Sequence, residues 1–274
     1  MKICDFKIVE VKKIVQLFDD LFKIDLSDFT YVNLKIKLQQ FCKEVKINSF
    51  DTFLKKIREN ENFRKNLLET ISFDSYELFR DPAVWRVIKE NIILESKQKT
   101  NYRVFFPSCH QGSELVSFLI LRDELALTKE IEVIYTSSLD LLNKVKEGFV
   151  NDKRKQDLNL SNYKRIAGKD LTKEYFVKEQ NKLNPITQLF ENTNYYNFDE
   201  KKTAFLKSVN LIIYRNKLIN YNQSTKKTVI NNLLKSLKTN GYLVIGIKEV
   251  INSNLENNNL ICFDKKENIY IKKL

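Results

Sequence analysis

The sequence is poor in the residues that build metal sites and disulfide frameworks. It contains four cysteines and one histidine in 274 residues. The cysteines are Cys4, Cys42, Cys109 and Cys262, and no two of them form a CxxC pair. His110 has no metal-ligating or nucleophilic partner close to it in sequence. We therefore expect no metal site and no disulfide framework, and we expect a reducing cytoplasm as the location of the protein.

Long hydrophobic runs are absent as well. No stretch of 18 apolar residues occurs, and the first ten residues already mix charged with apolar side chains. We therefore expect neither a membrane-spanning helix nor a secretory leader. A chain of 274 residues is long enough to form one large domain or two modest domains, each with a buried core.

Charge of one sign is in excess. Lysine and arginine number 47 against 35 acidic residues, which gives a net charge of +12. Such an excess suits a nucleic acid or an acidic protein as partner. The lysines are scattered along the chain, which is also rich in Asn and Ile, so a codon bias toward Lys accounts for the excess equally well. We favour an acidic protein partner and do not expect nucleic acid binding.

The first eighty residues have the apolar spacing of amphipathic helices. Neither glycine nor proline interrupts this block, since the first proline is Pro82 and the first glycine lies further on. Ser49 is a plausible N-cap for the third of four helices. The pattern predicts a small all-α domain over residues 1–80. The apolar faces are Val11, Ile14, Val15, Phe18, Leu21 and Phe22; Leu34, Leu38, Phe41 and Val45; Phe53, Leu54 and Ile57; and Phe63, Leu67, Leu68 and Ile71.

From Asn101 onward, short β-rich runs alternate with helical stretches, which is typical of a parallel sheet. The last two runs are joined by a short polar turn and predict an antiparallel hairpin. We therefore predict an α/β domain over residues 81–274. Residues 151–183 are charged and show no clear period, so they form either a small insertion or a long excursion. The predicted strands are Arg103–Phe106, Ile131–Thr136, the run from Val209, Tyr242–Ile247, Leu260–Phe263 and Ile269–Ile271, with Asn240-Gly241 as a helix stop after Gln223–Leu237.

Polar residues follow two of the predicted strands. The apolar run from Val209 stops at Arg215 and Asn216, and the carboxyl ends of strands in open α/β sheets are where ligands bind. Gly112 lies between the first strand and its helix, where a loop offers backbone N–H groups to an anion. Two plainer interpretations remain open: Gly112 is an ordinary turn glycine, and Glu114 is a first-turn carboxylate favoured by the helix dipole.

These segments resemble the signature of the bacterial chemotaxis receptor methyltransferases. The family pattern "CRNVLIYF … GG.L.lG.sE" matches VNLIIYRNKLINYN at Val209–Asn222 and NGYLVIGIKE at Asn240–Glu249. Its "N.T.FFRDP" matches ISFDSYELFRDP at Ile71–Pro82, and its "GCSTGEEPYS" matches the loop at Ser108–Glu114. Four of the five glycines fall where the family has glycine: Gly112, Gly148, Gly241 and Gly246.

The resemblance covers nearly the whole chain and implies both a fold and an activity. The fold is a Rossmann-like S-adenosylmethionine-dependent methyltransferase domain that follows the small helical domain. The activity is methylation of glutamate side chains on chemoreceptors, with S-adenosylhomocysteine as the product. The implied partner is the cytoplasmic region of a chemoreceptor or another acidic helical protein. The second predicted helix, with Lys35, Lys37, Lys43 and Lys46, is expected to steer that partner.

The resemblance also assigns residues. Arg80 of the Arg-Asp-Pro motif is the catalytic candidate, because a guanidinium can orient a carboxylate without removing its nucleophilicity. The plainer alternative is a salt bridge from Arg80 to Asp81 or to a neighbouring carboxylate. Asn194 is expected at the adenine, where an amide can donate and accept hydrogen bonds. The implied cofactor-binding residues are Asp74, Tyr76, Arg80, Gly112, Glu114, Thr136, Asn194, Tyr195, Arg215 and Asn216.

Three positions that line the site depart from the family pattern, besides Asp74 and Tyr76, which stand where the family has Asn and Thr. Thr136 stands where the family has an aspartate that binds both ribose hydroxyls, with Asp140 as a substitute only if the loop shifts. Asn220 replaces a tyrosine, and Ser113 replaces a glutamate. An alternative is therefore a catalytically weak or silent homologue that acts as a cofactor-sensing or receptor-interaction module. RNA methyl transfer would suit the charge but not the motif at Leu78–Pro82 or the Arg-Asn pair.

Overall fold

The chain forms two compact units in the computed structural model. One comprises Met1–Phe73 with Leu218–Lys226, and the other Asp74–Lys217 with Lys227–Leu274. The first unit ends at residue 73 before it resumes at Leu218, and the predicted domain limits of 1–80 and 81–274 stay a prediction. The structure describes residues 5–72, 77–98, 100–109, 112–136, 149–150, 153–168, 175–179, 182–196, 199, 201–202, 206–251 and 259–273.

Four helices build the first unit, as the apolar spacing predicts. Their buried faces meet in one core that includes Phe18, Phe41, Phe53 and Phe63. The predicted cap is present, because the Oγ of Ser49 accepts a hydrogen bond from the Thr52 amide at 3.2 Å. The one apolar residue placed wrongly is Leu21, which is 55% exposed. The helices are α1 (Ile8–Phe22), α2 (Tyr31–Glu44), α3 (Phe50–Glu59) and α4 (Glu61–Ser72).

The first unit also includes the segment that follows the Arg-Asn pair in sequence. The amide of Thr30 donates to the carbonyl of Asn220, and the amide of Asn222 donates to the carbonyl of Asp28, both at 2.8 Å. The ring of Tyr221 lies 5.5 Å from that of Phe29. The apolar periodicity gave no sign of this association. It assigns Asn220, one of the three departures from the family pattern, to the helical unit.

Two of the four lysines expected to steer the partner, Lys35 and Lys37, have partners within their own unit. The Nζ of Lys35 lies 2.9 Å from the carboxylate of Asp5. The hydrogen bond from Lys35 and its positive charge lower the pKa of Asp5. The Nζ of Lys37 donates to the carbonyl of Thr70 at 3.4 Å. The docking role expected for α2 remains a prediction.

A seven-stranded sheet forms the centre of the second unit, in the order β6-β2-β1-β7-β8-β10-β9. The first five strands are parallel, and β10 is antiparallel to both β8 and β9. The predicted parallel sheet closed by a hairpin is therefore confirmed. The strands are β1 (Tyr102–Phe106), β2 (Ile131–Tyr135), β6 (Thr193–Tyr195), β7 (Val209–Tyr214), β8 (Leu237–Ile245), β9 (Leu260–Asp264) and β10 (Ile269–Lys272).

The start of β8 differs from the prediction. We expected Asn240-Gly241 to end a helix before a strand at Tyr242, but the strand begins at Leu237. The preceding helix, Gln223–Ser236, ends directly before it. A Cβ on Gly241 would lie 2.8 Å from the Cδ1 of Leu237, so close packing explains this glycine.

Three helices adjoin strands of the central sheet in sequence. The first, α5 (Pro82–Val87), continues as a π-helix over Ile88–Ile93 and a 3₁₀ turn over Leu94–Gln98. The second, α6 (Ser113–Glu124), begins after Gly112. The third, α8 (Gln223–Ser236), precedes β8. The core that α5 and α6 share with the sheet contains the fully buried Trp85 and Phe118.

A small sheet and a helix lie between β2 and β6 in sequence. The sheet has the order β3-β5-β4 and is antiparallel, with β3 (Phe149–Val150), β4 (Phe176–Glu179) and β5 (Lys182–Pro185). The helix is α7 (Lys153–Ala167). The stretch for which the sequence left two alternatives thus contains regular structure. Among the described residues of the whole chain, no helix has the length and apolarity needed to cross a membrane.

Candidate functional site

The sheet order defines a crevice. Connections run from β1 outward to β2 and β6 on one side, and from β7 outward to β8 on the other. The strand order therefore reverses between β1 and β7, which is where open α/β sheets bind ligands. Gly112, Thr136 and Asn216 follow the carboxyl ends of three of these strands, and Asn194 lies one residue before the end of β6.

Arg80 is presented by a strained piece of backbone. The φ angles of its two neighbours, Phe79 and Asp81, are 52° and 55°, both in the left-handed region. Aspartate tolerates this region, but a bulky residue such as phenylalanine rarely adopts it. Such residues cost on the order of 1–3 kcal/mol each and persist only where the surroundings hold them. The contacts that hold this turn therefore decide where Arg80 lies.

Phe79 is held from two sides. Its buried amide donates to the Oγ of Ser117 at 2.8 Å, and that hydroxyl donates in turn to the carbonyl of Ser113 at 2.7 Å. Its ring packs against Tyr163 and Trp85, with centroid distances of 5.4 Å and 6.0 Å. The first turns of α6 therefore anchor the backbone that leads into Arg80.

Arg215 holds the other side of the turn. Its guanidinium is fully buried and lies 2.6 Å from the Oδ2 of Asp81 and 2.9 Å from the Oε1 of Glu114. It also donates to the carbonyl of Arg80 at 3.0 Å, and it lies 5.9 Å from the centroid of the Trp85 ring. The Nε1 of Trp85 donates to the same carbonyl at 2.9 Å. Two carboxylates thus compensate one buried cation, and the group fixes the Arg80 backbone.

This arrangement gives three site residues contacts that the sequence did not indicate. Arg215 and Glu114 were each predicted to contact the cofactor, and in the structure they bond to each other. Asp81 was considered as a salt-bridge partner for Arg80, and its carboxylate pairs with Arg215. The catalytic role of Arg80 and the cofactor contacts of Glu114 and Arg215 remain predictions.

Glu249 joins the ends of β7 and β8. Its buried Oε2 accepts from the amide of Asn216 at 3.0 Å and from the amide of Gly246 at 2.7 Å. Asn216 has a φ of 59°, which asparagine tolerates better than most residues. A Cβ on Gly246 would lie 2.7 Å from the Oδ1 of Asn216. Glycine is therefore required for this close approach.

The residues at this edge fit a ligand such as S-adenosylmethionine. The Nδ2 of Asn216 is buried and has no hydrogen-bond partner among the residues that the structure describes. A buried unpaired amide is costly, and a ligand acceptor such as the adenine edge would satisfy it. Gly112, with a φ of 74°, precedes the first turn of α6. The N–H groups of that turn suit a carboxylate such as the one at the methionine end.

Three residues that are predicted to contact the cofactor interact with other protein groups in the structure. Thr136 is 4% exposed, and its hydroxyl donates to the carbonyl of Pro107. The Nδ2 of Asn194 donates to the Oε1 of Glu132 at 3.1 Å. The ring of Tyr195 packs on Tyr135 with a centroid distance of 5.8 Å. Contacts of Thr136, Asn194 and Tyr195 with a cofactor stay predictions. Asp74, Tyr76, His110 and Asp140 lie outside the described residues.

The sequence reasoning missed three buried groups at this edge. Lys217, directly after the Arg-Asn pair, is only 8% exposed. Cys109 is buried in the loop after β1, and burial raises the pKa of its thiol to about 12 despite the opposing charge of Lys217. Glu249 was also missed as a site residue. A signal for it existed, because it is the last residue of the quoted glycine-rich motif.

The sheet order, the helices beside it and the polar groups at its carboxyl edge define a Rossmann-like methyltransferase that uses S-adenosylmethionine. Residues 74–266 match the family model described as "CheR methyltransferase, SAM binding domain". That range is most of the chain, which therefore belongs to this family.

Two curated relatives agree with this assignment. A chemotaxis protein methyltransferase of Campylobacter jejuni (strain 81-176) is 23% identical over 270 residues, which cover 97% of this chain and 92% of the relative. One from Borreliella burgdorferi is 23% identical and covers 90% of each chain. The N-methyltransferase NodS from Bradyrhizobium japonicum, solved with S-adenosylhomocysteine, aligns with a TM-score of 0.29 at 11% identity and covers 62% of each chain.

Proposed function

We propose that this protein transfers the methyl group of S-adenosylmethionine to glutamate side chains of chemoreceptors. The observation that carries the proposal is the presentation of Arg80 at the carboxyl edge of a methyltransferase sheet by the Arg215 ion group. The class of acceptor comes from the relatives, which are named as chemotaxis protein methyltransferases.

Methyl transfer to a glutamate side chain needs little proton transfer by the protein. S-adenosylmethionine supplies a methyl group on a positively charged sulfur. A glutamate side chain is already ionised near pH 7, so it needs no general base. A carboxylate oxygen forms the new bond to the methyl carbon while the carbon–sulfur bond breaks, and the sulfur keeps the electron pair. The rate then depends on how well the carboxylate is aligned.

The residues of the site suit that task. Arg80 can orient the acceptor carboxylate through its planar guanidinium. Asp81 and Arg215 hold the Arg80 backbone, so the guanidinium starts from a fixed position. The first turn of α6 after Gly112 offers N–H groups to a carboxylate, and the amide of Asn216 offers a donor to the adenine.

A second candidate function is a cofactor-sensing or receptor-interaction module with little turnover. The observation that favours it is the state of Thr136. Its hydroxyl replaces the carboxylate of the family and already donates to the carbonyl of Pro107. Weak ribose binding would then limit catalysis, whereas binding to a receptor would not depend on it.

One experiment separates the two candidates. The full chain is incubated with methyl-labelled S-adenosylmethionine and cytoplasmic fragments of chemoreceptors encoded in the same genome. We expect label on glutamate that is released as methanol in alkali, because a methyl ester hydrolyses there. If S-adenosylhomocysteine binds in calorimetry but no fragment acquires alkali-labile label, the second candidate replaces the first.

The role of Arg80 is tested in the same assay. Arg80→Ala should lower kcat by about a hundredfold, the order expected for lost alignment, while S-adenosylhomocysteine affinity changes far less. Arg80→Lys is the matched control, since it keeps the charge but loses the planar fork. Transfer at the wild-type rate by Arg80→Ala would remove this residue from the mechanism.

A further inference from the structure

The side chain of Glu249 closes the turn that follows β8. This residue is 4% exposed, and its Oε2 accepts from the amide of Asn216 at 3.0 Å and from the amide of Gly246 at 2.7 Å. The amide of Glu249 donates in turn to the carbonyl of Gly246 at 2.9 Å. A buried carboxylate that accepts from two backbone amides forms charge-assisted hydrogen bonds, which are stronger than those of a neutral acceptor. Glu249 therefore fixes the distance between the ends of β7 and β8.

The side chain of Asn216 packs on a residue that Glu249 holds. A Cβ on Gly246 would lie 2.7 Å from the Oδ1 of Asn216 and 2.9 Å from the Oε2 of Glu249. The oxygen end of the Asn216 amide thus lies against Gly246, while the Nδ2 is buried without a hydrogen-bond partner among the residues that the structure describes. The position of this donor depends on Gly246 and on the backbone of Asn216, and Glu249 binds both.

The turn between β9 and β10 holds the backbone of Glu249. The Nδ2 of Asn268 donates to the carbonyls of Glu249 at 2.8 Å, Gly246 at 3.0 Å and Ile247 at 3.2 Å. The carbonyl of Asn268 accepts from the amide of Ile245 at 3.2 Å. Supporting hydrogen bonds of this kind lock the geometry of the groups that they hold. The carboxylate of Glu249 is therefore held in place before any ligand binds.

We propose that Glu249 is a positioning residue for the cofactor, which sets the affinity for S-adenosylmethionine by orienting the side-chain amide of Asn216. The proposal deepens the proposed function and rests on it, because that function requires the bound cofactor. A donor that is held in its binding geometry loses less conformational freedom when the ligand arrives, so the ligand binds more tightly. The competing interpretation is that Glu249 only stabilises the fold, and this becomes an outcome of the test.

The test is a double-mutant cycle on the full chain, with the Kd of S-adenosylhomocysteine measured by calorimetry. The variants are Glu249→Leu, Asn216→Gly and the combination of both. Leucine is close to glutamate in size and accepts no hydrogen bond, and glycine keeps the positive φ of Asn216 available. The matched control is Asp264→Leu, because the Oδ1 of Asp264 also accepts from two backbone amides, those of Lys266 at 2.9 Å and Glu267 at 3.1 Å.

We expect Glu249→Leu to raise the Kd by about threefold to tenfold, the range expected for loss of the Asn216 amide itself. The combined variant should bind as Asn216→Gly does, because Glu249 has no side-chain amide to orient there. Asp264→Leu should change the Kd by less than about twofold, as independent sites do. A residue that only stabilises the fold would have the same effect on the Kd in both backgrounds. In the methylation assay Glu249→Leu should raise KM for S-adenosylmethionine and leave kcat unchanged.

A conservative variant covers the case in which Glu249→Leu does not fold. Glu249→Gln keeps a side-chain oxygen that can accept from both amides, but as a neutral and weaker acceptor. The same cycle with this variant should raise the Kd by about twofold to threefold in the wild-type background. It should cause no further rise beside Asn216→Gly.

Three results would overturn the proposal. The Glu249 variant binds S-adenosylhomocysteine like the wild type, its effect on the Kd is undiminished beside Asn216→Gly, or Asp264→Leu raises the Kd as much as Glu249→Leu does. The proposed function fails in a different way. A chain whose Kd values follow the expected cycle but that methylates no receptor fragment contradicts catalysis and leaves the positioning role standing. A chain that methylates fragments while the two substitutions act independently contradicts only the positioning role, and a wild type that binds no S-adenosylhomocysteine contradicts both.

Discussion

The carboxylate of Asp81 lies 2.6 Å from the guanidinium of Arg215, although 134 residues separate them in sequence. Asp81 stands next to the candidate catalytic residue Arg80, and Arg215 follows the central strand β7 directly. The pair therefore joins a strained turn to the carboxyl end of a strand that is buried along its whole length. Because Arg215 is fully buried, its charge has to be balanced by carboxylates, and Asp81 and Glu114 do so.

Replacement of Arg215 tests the role of this ion pair. Arg215→Met leaves two carboxylates facing each other, and removal of one partner from a buried ion pair costs about 3–5 kcal/mol of the free energy of unfolding. We expect this loss in urea unfolding, and we expect kcat of the folded fraction to fall as well. Arg122→Met is the control, because Arg122 is equally buried but binds carbonyl groups such as that of Ile131 at the start of β2. It should lose stability without a loss of kcat.

Ser117 should affect catalysis by positioning the backbone of Arg80, without contact to the cofactor or the methyl acceptor. Ser117→Ala removes the acceptor of the buried Phe79 amide, which costs about 1–3 kcal/mol of stability. The relaxed turn should lower kcat, while the Kd of S-adenosylhomocysteine stays the same. Ser236→Ala is the control, since Ser236 is equally buried and only donates within α8. Equal kcat values for the two variants would show that the turn does not position Arg80.

The side-chain amide of Asn216 is unpaired among the described residues. We therefore expect Asn216 to contribute to cofactor binding and little to the stability of the protein. Asn216→Gly keeps a positive φ available and removes the side chain. Because the Nδ2 is buried without a partner among the described residues, its removal should change the free energy of unfolding by less than about 1 kcal/mol. The affinity for S-adenosylhomocysteine should fall by about threefold to tenfold. Calorimetry and urea unfolding measure the two effects, and unchanged affinity contradicts the assignment.

Thr136→Asp should raise the affinity for S-adenosylhomocysteine and lower the stability of the protein. A carboxylate at this position would restore a charge-assisted pair with the ribose and tighten binding of S-adenosylhomocysteine by about tenfold. It cannot donate to the carbonyl of Pro107 as the threonine hydroxyl does, so the protein should unfold at a lower temperature. Thr136→Val, which loses only that hydrogen bond, is the control. Weaker binding by the aspartate variant would mean that this residue does not face the ribose.

The buried thiol of Cys109 should be unreactive at neutral pH. Burial raises its pKa to about 12, so the thiolate fraction stays negligible up to about pH 9. In a Cys4→Ser background, Ellman's reagent should modify the exposed Cys262 rapidly, and Cys42 and Cys109 only after unfolding. Fast modification of a second thiol in the native protein would contradict the burial.

The raised pKa of Cys109 also determines how the stability of the protein depends on pH. The folded state favours the neutral thiol, so the stabilising contribution of Cys109 is complete below its unfolded pKa of about 8.5. It is lost as the pH rises toward about 12. Cys109→Ala should therefore show a smaller loss of stability between pH 8.5 and pH 10 than the wild type, measured by urea unfolding.

Local patterns in the sequence were sufficient for most of the fold. The spacing of Val11, Ile14 and Phe18 predicted the first helix, because helix burial repeats every three to four residues. The apolar run from Val209 predicted β7, which is buried along its whole length. Where Asn240-Gly241 suggested a helix stop, the structure has a strand from Leu237 that pairs with β7. Local turn propensity gave way to sheet pairing there.

The candidate site could be predicted as a set of positions but not as a set of contacts. The motifs located Arg80, Gly112 and Asn216 near one edge, since the carboxyl ends of parallel strands meet there. They gave no indication that Asn159 and Asn162 of α7 hold the backbone before Arg80. Hydrogen-bond partners that lie more than eighty residues away leave no periodic trace in the sequence.

The sequence by itself determined the helical block, the parallel sheet with its hairpin and the family of the site, because apolar periodicity and short motifs are local properties. Only the tertiary structure decided that Arg215 pairs with Asp81 and Glu114, and that the hydroxyl of Thr136 donates to Pro107. A buried charge takes whichever opposite charge the strand order brings near, and a buried hydroxyl takes the nearest free carbonyl. Those neighbours exist only once the chain has folded.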